Sequence, residues 1–263
     1  MAVRPITGKT VVVTGGSKGI GLSLVKGFLA RDNTVITTSR KVSDAAALQQ
    51  LRQQYGPARL QLADLDASRA ASIAQWAAGV KAAGVKHVDV LVNNAGVYGR
   101  RPALEDFTEE DFLLAFHTNT LGPFFVVQQL IKQGLLGVPP PAAPSEPGAP
   151  PPPAPAPVSL VANISSIVGS NTDPTVSAVS KGGFAYRASK AALNVISTTL
   201  ARDLAPSGVE VVALHPGYVR TELSGGNGWI DADESAAGLI GVLEGGGPLN
   251  GRFLSYTGEE IPW

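Results

Sequence analysis

The run Thr14-Gly-Gly-Ser-Lys-Gly-Ile-Gly21 follows the apolar stretch Thr10 to Thr14 and opens an amphipathic one, and this order constrains the fold more than any other part of the chain. A strand that enters a glycine-rich turn and leaves as a helix is the start of a βαβ unit. Gly15, Gly19 and Gly21 carry no side chain to obstruct a tight turn or the close approach of backbone to a pyrophosphate. The helix N-terminus beyond them offers amide donors and a partial positive charge. Gly15, Ser17, Lys18, Gly19, Ile20 and Gly21 are therefore the first candidates for holding a dinucleotide. The spacing Gly-x-x-x-Gly-x-Gly is one residue longer than the commonest fingerprint, so a wider turn is expected.

The same rhythm continues downstream. Thr34 to Thr38 precedes a helix from Asp44, and further strands are expected at Arg59 to Leu62, Val88 to Val92, Ser159 to Ile164, Val209 to Leu214 and Arg252 to Tyr256. Strands alternating with helices imply parallel pairing, because a parallel crossover must pass over a sheet face. Their nearly continuous apolar character fits strands covered on both sides. The chain of 263 residues is long enough for one sizeable α/β domain and short for two. The expectation is a single domain over residues 1–263, a doubly wound parallel sheet with helices on both faces.

One segment breaks this pattern. Between Pro139 and Pro157 lie 11 of the 20 prolines, interspersed with alanine, serine and glycine. That composition neither pairs into a sheet nor continues a helix, so residues 138–157 read as an exposed, polyproline-like loop insertion after a helix ending near Leu135. Its Pro-x-x-Pro spacing also suits a proline-recognition module, although a tolerated surface loop is the plainer reading.

Composition excludes several function classes. A formal net charge of zero gives no footprint for nucleic acid or an anionic membrane. The absence of cysteine removes disulfides, thiolate catalysis and cysteine metal sites. His87, His117 and His215 are scattered without metal-ligand spacing, so no metal is expected. No apolar run approaches the length of a membrane span, and no signal segment precedes the first strand; a soluble cytoplasmic protein is expected.

Chemistry enters with Tyr186 and Lys190 in Tyr-Arg-Ala-Ser-Lys, one helical turn apart on one face. A phenol near pKa ~10 is poorly matched to proton transfer at neutral pH. A cation about 4 Å away at an effective dielectric of about 20 is worth on the order of 4 kcal/mol, enough to bring Tyr186 toward neutrality. Cofactor choice is read where the second strand ends, at Thr38-Ser39-Arg40-Lys41. An acid there would hold a ribose 2′-hydroxyl, and a base a 2′-phosphate. Arg40, with Lys18 in the turn, selects NADP(H) over NAD(H).

These features, with Asp64 after the third strand, Asn93-Asn94-Ala95-Gly96 after the fourth and Ser166, occur in the order found in the short-chain dehydrogenase/reductase family, which the chain resembles over essentially its whole length. The resemblance implies a Rossmann-like fold and assigns roles by position. Asp64 and Leu65 would meet the adenine. Asn93, Ala95 and Gly96 would brace the adenine ribose and the central sheet. Asn119 looks like the helix-kink asparagine that holds a water linking the lysine to solvent. Ser166, in preference to Ser165, would hydrogen-bond the substrate carbonyl, and Val219 with Thr221 would fix the nicotinamide carboxamide. Finer likeness in Tyr186 to Asn194 and in the C-terminal stretch points to the carbonyl-reductase branch, with its sniffer-like and C-signal-like members. The proline-rich insertion and the long interval from Ser166 to Tyr186 depart from the family pattern.

The activity so implied is reduction of a small ketone or aldehyde to an alcohol, with Tyr186 as proton donor. Tyr98, Phe184, Tyr218 and Trp229 are expected near the mouth, with Glu222 to Asp231 as a lid. The stripe Ala191, Ala192, Val195, Ile196 and Leu200 suits either core or a homodimer contact. Rival readings are a catalytically silent NADPH-binding scaffold and an NAD-dependent alcohol dehydrogenase.

Overall fold

Strands form where β-branched residues cluster and are bounded by turn formers. The computed structural model describes residues 4–137 and 158–263. Its order is β1 (Thr10–Val13), α1 (Gly19–Leu29), β2 (Thr34–Ser39), α2 (Ala46–Tyr55), β3 (Leu60–Asp64), α3 (Ala70–Ala82), β4 (Val90–Asn93), α4 (Glu109–Phe116), α5 (Gly122–Lys132), β5 (Ser159–Ile164), α6 (Val176–Val179), α7 (Phe184–Leu204), β6 (Val209–His215), α8 (Ala232–Glu244) and β7 (Phe253–Ser255). Every expected strand forms, β5 with the expected bounds and the others with ends displaced by at most two residues. Asp44 closes a short 3₁₀ turn, Val42–Asp44, before α2 rather than starting the helix. Leu135 lies beyond the end of α5 because it is needed in the core, where it is fully buried. The proline-rich tract 138–157 lies outside the described residues.

All seven strands join one parallel sheet in the order β3-β2-β1-β4-β5-β6-β7. The chain runs outward from β1 to β3, then returns to the other side of β1. At that reversal the loops after β1 and β4 diverge and leave a crevice outside the C-terminal ends of the strands.

The alternation along each strand feeds two cores. Val11 and Val13 of β1 join Leu24, Val25 and Phe28 of α1 and Leu239, Ile240 and Leu243 of α8 on one face. Val12 between them joins Ile73 and Trp76 of α3, Val126 and Leu130 of α5 and Leu200 of α7 on the other. The α7 stripe splits: Leu200 and Ile196 pack in this second core, whereas Val195 is exposed. Among the described residues, no helix is long and apolar enough to cross a membrane.

The long interval between Ser166 and Tyr186 has its own organisation. Asp173 accepts the Ser177 amide at 2.7 Å and the Thr175 hydroxyl at 2.7 Å, starting α6. Arg187 on α7 then donates to the carbonyls of Val168, Ser177 and Ser180 at 3.2, 3.0 and 2.6 Å. The extra residues are thus stapled onto the helix that carries Tyr186.

Phe28 is the largest side chain wholly enclosed between α1 and the sheet. Phe28→Ala is expected to lower unfolding free energy by about 3–5 kcal/mol. In urea this would appear as a reduced midpoint with an unchanged slope.

Candidate active site

The glycine turn is held shut by the loop after β4. Asn94 donates through Nδ2 to the carbonyls of Thr14 at 2.9 Å and Gly15 at 3.1 Å, while the Thr14 hydroxyl accepts the amides of Asn94 and Ala95 at 3.0 and 3.1 Å. Gly15 has φ +69°, and a side chain there would meet the Ala95 Cα at 2.9 Å. A side chain at Gly21 would meet the Gly15 carbonyl at 2.2 Å and Asn94 Nδ2 at 2.5 Å. Gly21 therefore serves closure of the turn itself. Ser17 and Ile20 are half-buried in the turn, Ile20 packing against the first core.

Around this turn lie the other residues expected to meet the cofactor. Gly19 lies against Thr221, whose methyl group would be 3.3 Å from a side chain at that glycine. Val219 is buried and bridges to Ile230, so its backbone is fixed beside Thr221. Arg40 is exposed at the end of β2. Lys18 forms an ion pair with Glu222, and together with Arg40 it holds the Glu222 carboxyl below its usual range. Asp64 accepts the Val42 amide at 2.7 Å, which ties the end of β3 to the chain leaving β2. The side chain of Leu65 is buried in the second core, so only its backbone is open to an adenine. Asn93 is engaged with the neighbouring strand, its side chain donating to Asn163 Oδ1 at 2.9 Å, which is the bracing of the sheet expected of it. Asn163 donates in turn to Ser197 at 2.9 Å. Asn93 braces the sheet, and Ala95 and Gly96 carry the surface of that loop.

Across the crevice, α7 begins at Phe184 and places Tyr186 and Lys190 on one face, as the spacing requires. Ser165 and Ser166 leave β5 in opposite senses. The Ser165 hydroxyl is buried and donates to Asn194 Oδ1 at 2.6 Å, whereas the Ser166 hydroxyl lies on the Tyr186 side and draws the pKa of that phenol down. Gly169 lets this segment lie on α7, since a side chain there would meet the Lys190 backbone at 2.8 Å.

The electrostatics differ from the sequence expectation. Lys190 does not bring Tyr186 toward neutrality. Desolvation pushes the Tyr186 phenol up to about 12, with the Ser166 hydroxyl opposing and Tyr98 adding to the rise. The Lys190 ammonium lies 5.8 Å from the Tyr186 ring centre and donates to the Ile164 carbonyl at 2.7 Å. Its own burial pushes it down to about 8. Both groups are shifted toward their neutral forms, which is what desolvation does to any ionisable side chain.

Asn119 sits in a five-residue stretch of wider helical turn, His117–Leu121, between α4 and α5. Its side chain accepts the Val97 amide at 2.8 Å and donates to the Val97 carbonyl at 2.8 Å and the Ser189 hydroxyl at 3.0 Å. It thereby clamps the loop after β4 to α7. A side chain at Gly96 would lie 3.2 Å from Asn119 Oδ1 and 3.8 Å from Lys190 Nζ, so this glycine is what lets the two approach. Sequence reasoning gave Arg187 and Ser189 no role. Their signal was present in the text of Tyr-Arg-Ala-Ser-Lys, where both are engaged.

At the mouth, Tyr98 stacks on Tyr186 with ring centres 4.7 Å apart. Phe184 meets Phe107 edge-on at 5.4 Å, and Tyr218 meets Trp229 edge-on at 5.6 Å. The proposed lid is pinned at its base, where the Trp229 amide donates to the Tyr218 carbonyl at 2.7 Å and that of Arg220 to Ile230 at 2.9 Å.

A buried ammonium costs stability that function must justify. Below a pH of about 8 Lys190 is protonated in both folded and unfolded chains, and the fold bears the full cost. From about 8 up to 10.5 only the unfolded chain keeps the proton, so stability rises with pH across that window. Lys190→Met is expected to be more stable than wild type at pH 7 by about 1–3 kcal/mol, and to lose that advantage above the window. Urea unfolding at several pH values checks this.

Comparison with known proteins agrees with the geometry. The family model described as short chain dehydrogenase matches residues 9–137 and 157–228. C-signal of Myxococcus xanthus is 37% identical over 183 residues, 67% of this chain and 93% of that protein. Carbonyl reductase Sniffer of D. melanogaster superposes with a TM-score of 0.80 over 98% of this chain and 100% of that one; at 24% identity this speaks for the fold. The NADPH-bound carbonyl reductase from chicken fatty liver superposes with a TM-score of 0.79 at 26% identity, covering 100% of both chains. With a matching model over most of its length and a parallel sheet that places the glycine turn opposite the Tyr-x-x-x-Lys helix, the chain belongs to the short-chain dehydrogenase/reductase family.

Proposed function

We propose that this protein is an NADPH-dependent carbonyl reductase in which Tyr186 is the proton donor. The observation that carries the reading is the desolvated phenol of Tyr186, beside Ser166 and one helical turn from a buried lysine, at the crevice end of the sheet. A phenol held near 12 keeps its proton at neutral pH and is suited to give it to an oxygen that is becoming more basic than itself.

The residues present fit a dinucleotide. Lys18 leaves α1 without a side-chain cap, the turn before it is closed without side chains in the way, and exposed Arg40 supplies a cation for a 2′-phosphate, with Lys18 available as a second once its ion pair with Glu222 opens. The cofactor is NADP(H), as in the NADPH-bound chicken carbonyl reductase. Gly15 to Gly21 would hold its pyrophosphate, Arg40 and Lys18 its 2′-phosphate, and Val219 with Thr221 its carboxamide. When bound, it supplies the hydride.

The chain's own residues do the rest. The Ser166 hydroxyl orients the substrate carbonyl oxygen beside the Tyr186 phenol, a small oxyanion site. Tyr186 gives its proton to the developing alkoxide. Lys190, charged below a pH of about 8, stabilises the negative charge that passes from oxygen to phenolate. Asn119 fixes the loop after β4 against α7, and with it the distance between the two sides of the site.

Tyr186→Phe preserves the ring and its stacking while removing the proton. It is expected to lower kcat by at least about 10²-fold. NADPH affinity, followed by fluorescence titration, should stay within about twofold. Loss of NADPH binding in the variant, or retained turnover, would defeat the assignment.

A further inference from the structure

The ring of Tyr98 has a second neighbour. The Arg101 guanidinium carbon lies 4.1 Å from its centre, while Tyr186 is stacked 4.7 Å from the same centre at 22°. Two planar groups cannot share one face at these spacings, so Tyr98 is the middle layer between Arg101 and the proton donor. Space for it is made by Gly183, where a side chain would meet the Tyr98 hydroxyl at 2.5 Å. Arg101 is anchored a second time, by donating through Nη2 to the Leu223 carbonyl at 3.2 Å. It therefore joins the loop after β4 to the loop after β6, across the mouth of the site.

This guanidinium is exposed and, among the described residues, has no carboxylate within ion-pair distance. Two acids of these segments are engaged elsewhere. Asp111 takes both its charge-assisted bonds from the adjacent Arg100, at 2.9 Å each, and Glu222 is paired with Lys18. The adjacent surface is apolar: Phe184 and Leu223 are both large hydrophobics left exposed. A fixed planar fork of donors beside apolar surface matches a carboxylate on a hydrocarbon chain. The separation of Arg101 from Tyr186 by a full aromatic layer requires that the carboxylate lie several bonds from the carbonyl.

We propose that Arg101 is a specificity-determining residue and that the favoured substrates are oxo acids whose carboxylate is separated from the carbonyl by several bonds. The assignment rests on the carbonyl-reductase reading. If Arg101 served only to press on Tyr98, its replacement would affect charged and neutral substrates alike.

The test is kcat/KM with NADPH for a graded series of oxo acids, each beside its methyl ester, with simple ketones as neutral references. Wild type is expected to favour at least one acid over its ester by about tenfold, the magnitude of a charge-assisted hydrogen bond discounted for exposure. Arg101→Met, which keeps an unbranched chain over Tyr98, should lose that preference while reducing esters and ketones within about threefold of wild type. Arg101→Lys, which keeps the charge but not the planar fork, should retain only part of it. Esters matching or exceeding acids in wild type would overturn the proposal while leaving the reductase reading intact. So would a preference that survives in Arg101→Met, or an equal loss for acids and esters. Absence of turnover with every compound, ketones included, would sink the reductase reading and this proposal with it.

Discussion

The amide of Asn94 bridging to the carbonyls of Thr14 and Gly15 is the contact on which the site depends. A parallel sheet whose order reverses between β1 and β4 leaves the loops after those two strands diverging. Asn94 bridges them with a side chain, and Thr14 bridges them again with its hydroxyl, so the glycine turn is tied to the loop that carries Gly96 and Tyr98. Asn119 extends the same tie to α7 by gripping both polar groups of Val97 and the hydroxyl of Ser189. Three segments remote in sequence are thereby set at fixed spacing by short polar contacts rather than by apolar packing, which has no directional preference.

How much of this was legible in the sequence follows from which forces are local. Strand and helix positions were readable because β-branched runs and helical spacing are local, and the two cores follow from the alternation of Val11, Val12 and Val13. The pairing of Tyr186 with Lys190 was readable because helix geometry alone sets it. Asn93 and Leu65 show where the reading stops: a motif gives a residue's address in the chain but not the direction of its side chain. Asn93 ends a strand and points beneath it to Asn163, and Leu65, one residue past β3, fills the core. The expected Lys190 effect on Tyr186 fails at the same point. Spacing places the two groups one turn apart, but the carbonyl of Ile164 that takes the ammonium comes from β5, where helical spacing gives no information.

The extra length between Ser166 and Tyr186 shows how a departure from a pattern can be absorbed. Asp173 and Arg187 convert those residues into a short helix and three carbonyl anchors on α7. Because Arg187 follows Tyr186 directly, the staple acts on the helical turn that presents the phenol. The insertion is then part of the support of the site and not merely adjacent to it.

Desolvation links the energetics of the fold to its chemistry. Burial shifts Tyr186 up to about 12 and Lys190 down to about 8, so each side chain is held in a place that disfavours its charge. Taken singly, each shift destabilises the ion concerned. Taken together they make the site responsive to a transferred charge, because an anion forming beside a poorly solvated ammonium is attracted far more strongly than it would be in water. Before proton transfer that attraction has no partner, since the phenol is neutral and Ile164 offers only a dipole. In the proposed mechanism, negative charge developing on the substrate oxygen or on the phenol would bring that stabilisation out. The interaction would then be stronger in the transition state than in the ground state, which is the condition for an interaction to raise rate rather than merely tighten binding.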